Sequence, residues 1–384
     1  MKEAIIALDG GGSNLRMIVV DKKTEEELYF KEIKTGTNLS TVPNRKHALN
    51  TIKHLIATGY SNLPNDYSLV AIALSSAGTE IKENKDDLEK ALQEVIALLK
   101  TMPTKPLSSS PELFVTNDID ILLHSSDIAL VAGTGTVGAV KFKDIQPYDN
   151  NPEEPEEYTI QKLDAAGPFI GDKGSGYWIG KEVLTKVQEI ETLHGYINPQ
   201  GEFVQEYNSY LRELVLRKLF EINGISGEEA EKAIMLGLNY TSLPEFVSLV
   251  YSATEENGKP FDRAKVGNYF SKLADQAALH GDTAANEILK AASIELFKNI
   301  RTAYDIGHFE NKPDCTLLLS GSVLVHSEIV RYFLESTIRE YYPNIILKIN
   351  KEKPVISTVK YVKQKLEQKR TFPSFPSDAD DWQK

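Results

Sequence analysis

Twice in this chain an apolar β-type run breaks into a glycine-rich polar turn and then resumes as apolar strand, not as helix. The first is Ile5-Ile6-Ala7-Leu8-Asp9-Gly10-Gly11-Gly12-Ser13-Asn14, resuming over 17–20. The second is Ile128-Ala129-Leu130-Val131-Ala132-Gly133-Thr134-Gly135-Thr136, resuming over 137–140. Glycine lets a backbone approach a ligand closely and turn through positive φ, so that its N–H groups converge on an anion. Two such hairpins predict a nucleotide phosphate gripped from two sides, as a phosphotransferase requires.

At 384 residues the chain suits two α/β domains better than one core. The first third alternates strands and helices. Residues 4–9, 17–21 and 27–34 read as a strand meander, 44–58 as a helix and 69–74 as an apolar strand. The i, i+3, i+4 spacing of Leu88, Ala91, Leu92, Val95, Ile96 and Leu99 predicts a helix over 83–100. A short strand over 113–116 follows, and Asn117 or Asp118 opens a helix through residue 123. The pattern restarts at Ile128, continues through a strand over 158–163 and a helix from Tyr177, and turns mostly helical over 203–305. A buried strand over 315–320 then enters a helix over 325–341. The expected division is an N-terminal lobe over 1–127, completed by a helix within 355–370, a C-terminal lobe over 128–354, and a polar tail over 371–384. The acidic, proline-containing stretch 144–158 is expected to be an exposed loop.

Composition narrows the chemistry. A formal net charge of −12 disfavours a nucleic-acid or anionic-membrane surface. The apolar runs fall short of the roughly 18–20 residues of a membrane span. The start, Met1-Lys2-Glu3-Ala4, runs into a strand without a secretory pattern, and a lone cysteine, Cys315, excludes a disulfide framework or a CxxC metal site. A cytoplasmic setting is expected. Gly133-x-Gly135-x-x-Gly138 matches a dinucleotide fingerprint as text, but strand and not helix follows it, and no GxxxxGK[ST] string exists.

Asp9 ends a strand beside three glycines. It either caps a tight turn or holds Mg²⁺, partly through water. Asp118 lies where a strand meets a helix, either as an N-cap or as a base that takes the proton of an attacking hydroxyl. Gly171-Asp172-Lys173-Gly174-Ser175-Gly176 is a third glycine-rich turn, a helix-start loop or a site for sugar hydroxyls and phosphate.

Together these stretches resemble the hexokinase/actin/heat-shock-chaperone ATPase superfamily. They look closest to the branch holding N-acetylglucosamine kinase and the activator ATPases of benzoyl-CoA reductase. The resemblance spans most of residues 4–330. Its most specific element is Gly171-Asp172-x-Gly174-Ser175-x-Tyr177-Trp178-Ile179-Gly180, and Leu319-Ser320-Gly321-Ser322-Val323 is similar to the adenosine motif. It implies an α/β fold of two ribonuclease-H-like lobes closing over ATP–Mg²⁺, with a sugar as substrate. Carried over by residue, Gly11, Gly12, Ser13, Asn14, Gly133, Thr134, Gly135, Thr136, Gly321 and Ser322 would contact ATP. Asn38, Ser76, Gly171 and Asp172 would contact the sugar, Asp9 would serve the metal, and Asp118 would be the catalytic base.

The chain departs from that pattern in three places. Ala166-Gly167-Pro168 stands where the kinases carry Gly-Trp-Gly-His, Lys173 replaces a Glu, and the closing Gly-Ala motif is absent around 354–358. The expected activity is ATP-dependent phosphorylation of an N-acetylhexosamine or amino sugar, at C6. No nucleic-acid or membrane partner is expected, and a homodimer is compatible with the reading. The alternatives are a non-catalytic ATP/sugar sensor, and an activator ATPase, which the missing paired cysteines disfavour.

Overall fold

A computed structural model describes residues 1–11, 14–40, 42–101, 107–143, 158–193, 209–236, 243–255 and 262–371. Gly12, Ser13 and most of the acidic stretch and polar tail lie outside them. The chain divides into two compact units. Unit 1 comprises residues 1–125 with the C-terminal stretch from Glu352, and unit 2 comprises residues 126–351.

Unit 1 is built on strands β1 (Lys2–Gly10), β2 (Leu15–Asp21), β3 (Glu27–Ile33), β4 (Tyr67–Ser76) and β5 (Leu107–Thr116). Their order is β3-β2-β1-β4-β5, antiparallel through β3-β2-β1 and parallel through β1-β4-β5. Helices α1 (Arg45–Ser61), α2 (Lys82–Lys100) and α3 (Asp118–Leu123) lie in the same stretch. Side chains alternate across a strand, so a β1 that is apolar at every position from Ala4 to Leu8 must be covered on both faces. Ala4, Ile6 and Leu8 pack with Ile52, Leu55, Leu88 and Leu92 of α1 and α2. Ile5 and Ala7 pack with Val355, Val359 and Val362 of the last helix, Pro354–Thr371. The end of the chain thus seals the second face of its first strand.

Unit 2 repeats the connectivity. Its strands are β6 (Ile128–Ala132), β7 (Thr136–Lys143), β8 (Tyr158–Asp164), β9 (Cys315–Ser320) and β10 (Ile345–Ile349), ordered β10-β9-β6-β7-β8. Again the first three strands form an antiparallel meander, and β6-β9-β10 are parallel. Between β8 and β9 run α4 (Gly167–Ile170), α5 (Gly176–Leu193), α6 (Tyr210–Ile222), α7 (Glu228–Leu236), α8 (Leu243–Thr254), α9 (Arg263–Val266), a π turn over Gly267–Ser271, α10 (Lys272–Leu279) and α11 (Thr283–Ile306). After β9 come α12 (Ser322–His326) and α13 (Glu328–Tyr341), and α14 (Pro354–Thr371) is the helix that returns to unit 1. The α/β class expected from sequence is the one observed, with two five-stranded mixed sheets.

Several expected boundaries move. The helix expected over 325–341 is two helices. Ser327 stands between them in extended conformation (ψ 100°), its Oγ accepting from the Val330 N–H as the N-cap of α13. β5 starts at Leu107, well before 113, because backbone pairing with β4 does not need apolar side chains. The helix expected from Tyr177 starts at Gly176, behind a buried Ser175 whose Oγ accepts from the Trp178 N–H.

Val359→Ala is expected to lower unfolding free energy by about 1.5–3 kcal/mol, since its side chain is fully buried against β1. Gln364→Ala, on the exposed side of the same helix, should fall within about 0.5 kcal/mol of wild type. Equilibrium denaturant titration of both variants checks the contrast.

Candidate functional site

In unit 1 the parallel strands β1, β4 and β5 end side by side, with Asp9 in register with Ser75 and Ser75 with Thr116. Ligands of open α/β sheets bind beyond such carboxyl ends. The groups gathered there are Asp9, the Gly10–Gly11 turn, Ser76, and Asn117-Asp118 at the start of α3.

Gly10 is required by close approach. A Cβ there would lie within 2 Å of the Thr37 Oγ1 (1.9 Å). The Gly11 carbonyl accepts from the Thr37 N–H (3.0 Å), which ties the Thr37–Asn38 segment to the turn. Ser76 is fully buried, and its hydroxyl lies 3.0 Å from the Thr37 Oγ1. In this arrangement Ser76 braces the segment that carries Asn38. The Asn38 Oδ1 accepts from the Ser40 N–H, and a Cβ at Gly78 would strike it at 2.5 Å.

Asn117 resolves one of the choices left open at α3. It is the N-cap, its Oδ1 accepting from the Ile119 N–H (3.1 Å) while its Nδ2 donates to the Glu80 Oε2 (2.9 Å). Asp118 is the first helical residue. It is exposed, and its Oδ1 accepts from the same Ile119 N–H (3.0 Å). The cap therefore does not depend on Asp118.

Asp9 is the electrostatic anomaly of unit 1. Its carboxyl is buried, and that burial, reinforced by the charge of Asp118, pushes its pKa up to about 7. Arg16 opposes the shift from 3.6 Å but is shared with Glu32. A buried carboxylate repelled by a second one is a position that a divalent cation would relieve. Among the described residues, no three His, Cys, Asp or Glu side chains converge on one point. The donor set therefore fits an ion held by one carboxylate and completed by water and phosphate oxygens, the usual habit of Mg²⁺.

In unit 2 the second glycine turn is held from behind. The carbonyls of Gly133 and Thr134 accept from the N–H groups of Gly176 (2.7 Å) and Tyr177 (3.3 Å) at the start of α5. The Gly133 N–H donates to the Gly135 carbonyl and the Thr136 N–H to the Asp172 Oδ1 (2.8 Å). The consecutive N–H groups of Thr134 and Gly135 have no acceptor among the described residues. Two adjacent amides left open on a braced turn make an anion-binding concavity.

Asp172, expected to contact sugar, is buried at φ 58° and engaged at both oxygens. Oδ1 holds the Thr136 N–H, and Oδ2 pairs with the Arg263 Nη2. Gly135 must be glycine because a Cβ there would meet Asp172 and Arg263 at 2.6 and 2.9 Å. In this arrangement Asp172 staples the second glycine turn to Arg263. Gly171 opens the same loop, its N–H donating to the Gly167 carbonyl.

A cavity of about 520 Å³ adjoins the turn. Gly133 and Thr134 line it with Gly176, Ser322, Ile179 and Val323, and the π turn and α10 form a further wall. Gly321, at φ 90°, brings the start of α12 against β6, where a Cβ would lie 2.4 Å from the Ala132 carbonyl. Thus Gly133, Thr134 and Ser322 share one cavity. Gly135 and Thr136 are not among its lining residues, and in unit 1 the Asn14 carbonyl, just before β2, accepts from the Gly11 N–H. The sequence reading missed Asn268, Ser271, Lys272 and Asp275, which also line the cavity. Their i, i+3, i+4, i+7 spacing was the available signal. It was masked because a polar stripe on a helix ordinarily faces water.

The sequence matches no known protein-family model. It is 22% identical over 356 residues to an N-acetyl-D-glucosamine kinase of Dictyostelium discoideum, covering 89% of this chain and 92% of that one. Among solved structures it is similar to a putative N-acetylglucosamine kinase from Chromobacterium violaceum. That likeness has a TM-score of 0.52 at 14% identity, over 94% of this chain and 98% of that one. The chain therefore shares its α/β fold with that structure.

Asp9→Asn tests the buried charge. The folded chain keeps the Asp9 proton up to about pH 7, whereas the unfolded chain releases it near 3.8. The folded state is thus the better proton binder, and stability falls as pH rises through that window. Without metal, Asp9→Asn is expected to be more stable than wild type at pH 8, with a ceiling of about 4 kcal/mol for three pKa units. The difference should close as pH approaches 4. Thermal melts across pH in the presence of a chelator read it directly.

Proposed function

We propose that this chain is an ATP-dependent sugar kinase whose acceptor is N-acetylglucosamine or a closely related hexosamine. The observation that carries the reading is the division of two neighbouring carboxylates. Asp9 is buried beside an Arg16 that it shares with Glu32, while Asp118 is exposed at the start of a helix whose N-cap is Asn117. Carboxylates in such different environments suit different tasks, one for a metal and one for a proton. The curated kinase relative, alike over nearly its whole length, supports the same chemistry.

In this reading Asp118 accepts the proton of a sugar hydroxyl, expected at C6, as that oxygen forms a bond to the γ-phosphorus. The bond from that phosphorus to the β-bridging oxygen breaks, and ADP leaves with the electron pair. A divalent ion at Asp9 would neutralise charge on the phosphates. Within unit 2, the Thr134 and Gly135 N–H groups would donate to phosphate oxygens of a bound nucleotide. Asn38 would orient the sugar from a segment braced by Ser76. Asp172 would act through the turn it staples.

The activator-ATPase alternative is not supported. Cys315 is the only cysteine, and it is buried in β9 with its thiol pushed up to about 12, chiefly by burial. Such a thiol is a poor cluster ligand.

Asp118→Asn is expected to lower sugar-dependent ADP release about 10²–10⁴-fold while leaving the KM for ATP within about twofold. A coupled assay over N-acetylglucosamine, glucosamine, N-acetylmannosamine and glucose measures it. Near-wild-type turnover in the variant removes Asp118 from its role, and a wild type that releases no ADP with any of these sugars removes the kinase reading.

A further inference from the structure

The inference concerns the nucleoside end of the unit 2 cavity and rests on reading that cavity as the nucleotide site. Its walls are unlike one another. Ile179 and Val323 are apolar, whereas the π turn and α10 present Asn268, Ser271, Lys272 and Asp275. π turns inside helices recur at functional sites. This one is packed closely, since a Cβ at Gly267 would lie 3.1 Å from the Tyr177 amide nitrogen.

Asp275 is the unusual member. The Ser327 Oγ accepts the Val330 N–H, so its single hydroxyl proton goes to the Asp275 Oδ1. The other oxygen, Oδ2, has no hydrogen-bond donor among the described residues, although Asp275 lines the cavity. Burial pushes the Asp275 pKa up, against the Ser327 bond and the charge of Arg331. Bracing Ser327 uses one oxygen, and the second is an acceptor on a cavity-lining residue with no donor among the described residues. An aromatic base suits the apolar faces of Ile179 and Val323, and hydroxyls suit the polar stripe.

We propose that Asp275 is a specificity-determining residue that accepts a hydrogen bond from the ribose hydroxyls of the bound nucleotide and makes the pocket prefer ribonucleotides to deoxyribonucleotides. Acidic side chains recognise ribose diols in the same manner in unrelated nucleotide sites.

Calorimetric titration of the 384-residue chain with ATP and with 2′,3′-dideoxy-ATP, each with Mg²⁺, tests it. Wild type should bind ATP about tenfold more tightly. Asp275→Ala should weaken ATP about tenfold and leave the dideoxy compound unchanged, so that the two become equal. Asp275→Asn, which preserves shape and an acceptor, should keep part of the preference and covers the case in which the alanine variant does not fold. Equal binding of both nucleotides by wild type overturns the proposal. So does equal weakening of both by Asp275→Ala, or a loss that follows GTP against ATP instead of the ribose. A wild type that prefers the ribose but phosphorylates no sugar sinks the kinase reading and leaves Asp275 in place. One that phosphorylates sugars equally well from either nucleotide does the reverse.

Discussion

A carboxylate buried at the end of the first strand is the constraint around which unit 1 is arranged. Leu8 before Asp9 is fully buried, and Arg16 offers the Asp9 charge only shared compensation. Folding optimised for stability alone would place an apolar or neutral side chain there. Tolerating Asp9 makes sense where a cation arrives with a ligand, because the ion converts a costly buried carboxylate into a favourable one. The glycines beside it follow from the same demand, since Gly10 leaves room for Thr37 to close over the strand end.

The two units share one connectivity but not one chemistry. In each, an antiparallel meander leads into two parallel strands, so the glycine turn falls between the first and second strands of the sheet. Where unit 1 has Asp9 before its turn, unit 2 has Ala132. Unit 1 has a buried carboxylate beside its turn, whereas the unit 2 turn offers open amides, a neighbouring cavity and a staple from Asp172.

The paired turns and every strand but β10 were readable because they rest on local rules, alternation and glycine conformation. The cap of α3 stayed open in the sequence because Asn117 and Asp118 both carry a side-chain oxygen suited to it. The break at Ser327 was not readable. Apolar residues on both sides keep helical spacing, and only the bond from Val330 shows the serine to be a cap. The engagement of Asp172 by Arg263 was equally hidden, because the two lie 91 positions apart in sequence. The polar stripe from Asn268 to Asp275 was visible as a pattern and misleading as a signal. Its role depends on the cavity that α5 and α12 build opposite it.

The central claim is that Asp9 is held out of its ordinary titration range until a metal–nucleotide complex engages it. Site-resolved carboxyl NMR of the Asp9 side chain, titrated with pH before and after addition of Mg²⁺ and a non-hydrolysable ATP analogue, tests this most directly. The account predicts a midpoint near 7 in the metal-free protein, falling below 5 once the complex is bound. A midpoint near 4 in the metal-free chain, or one that the complex leaves unmoved, contradicts it.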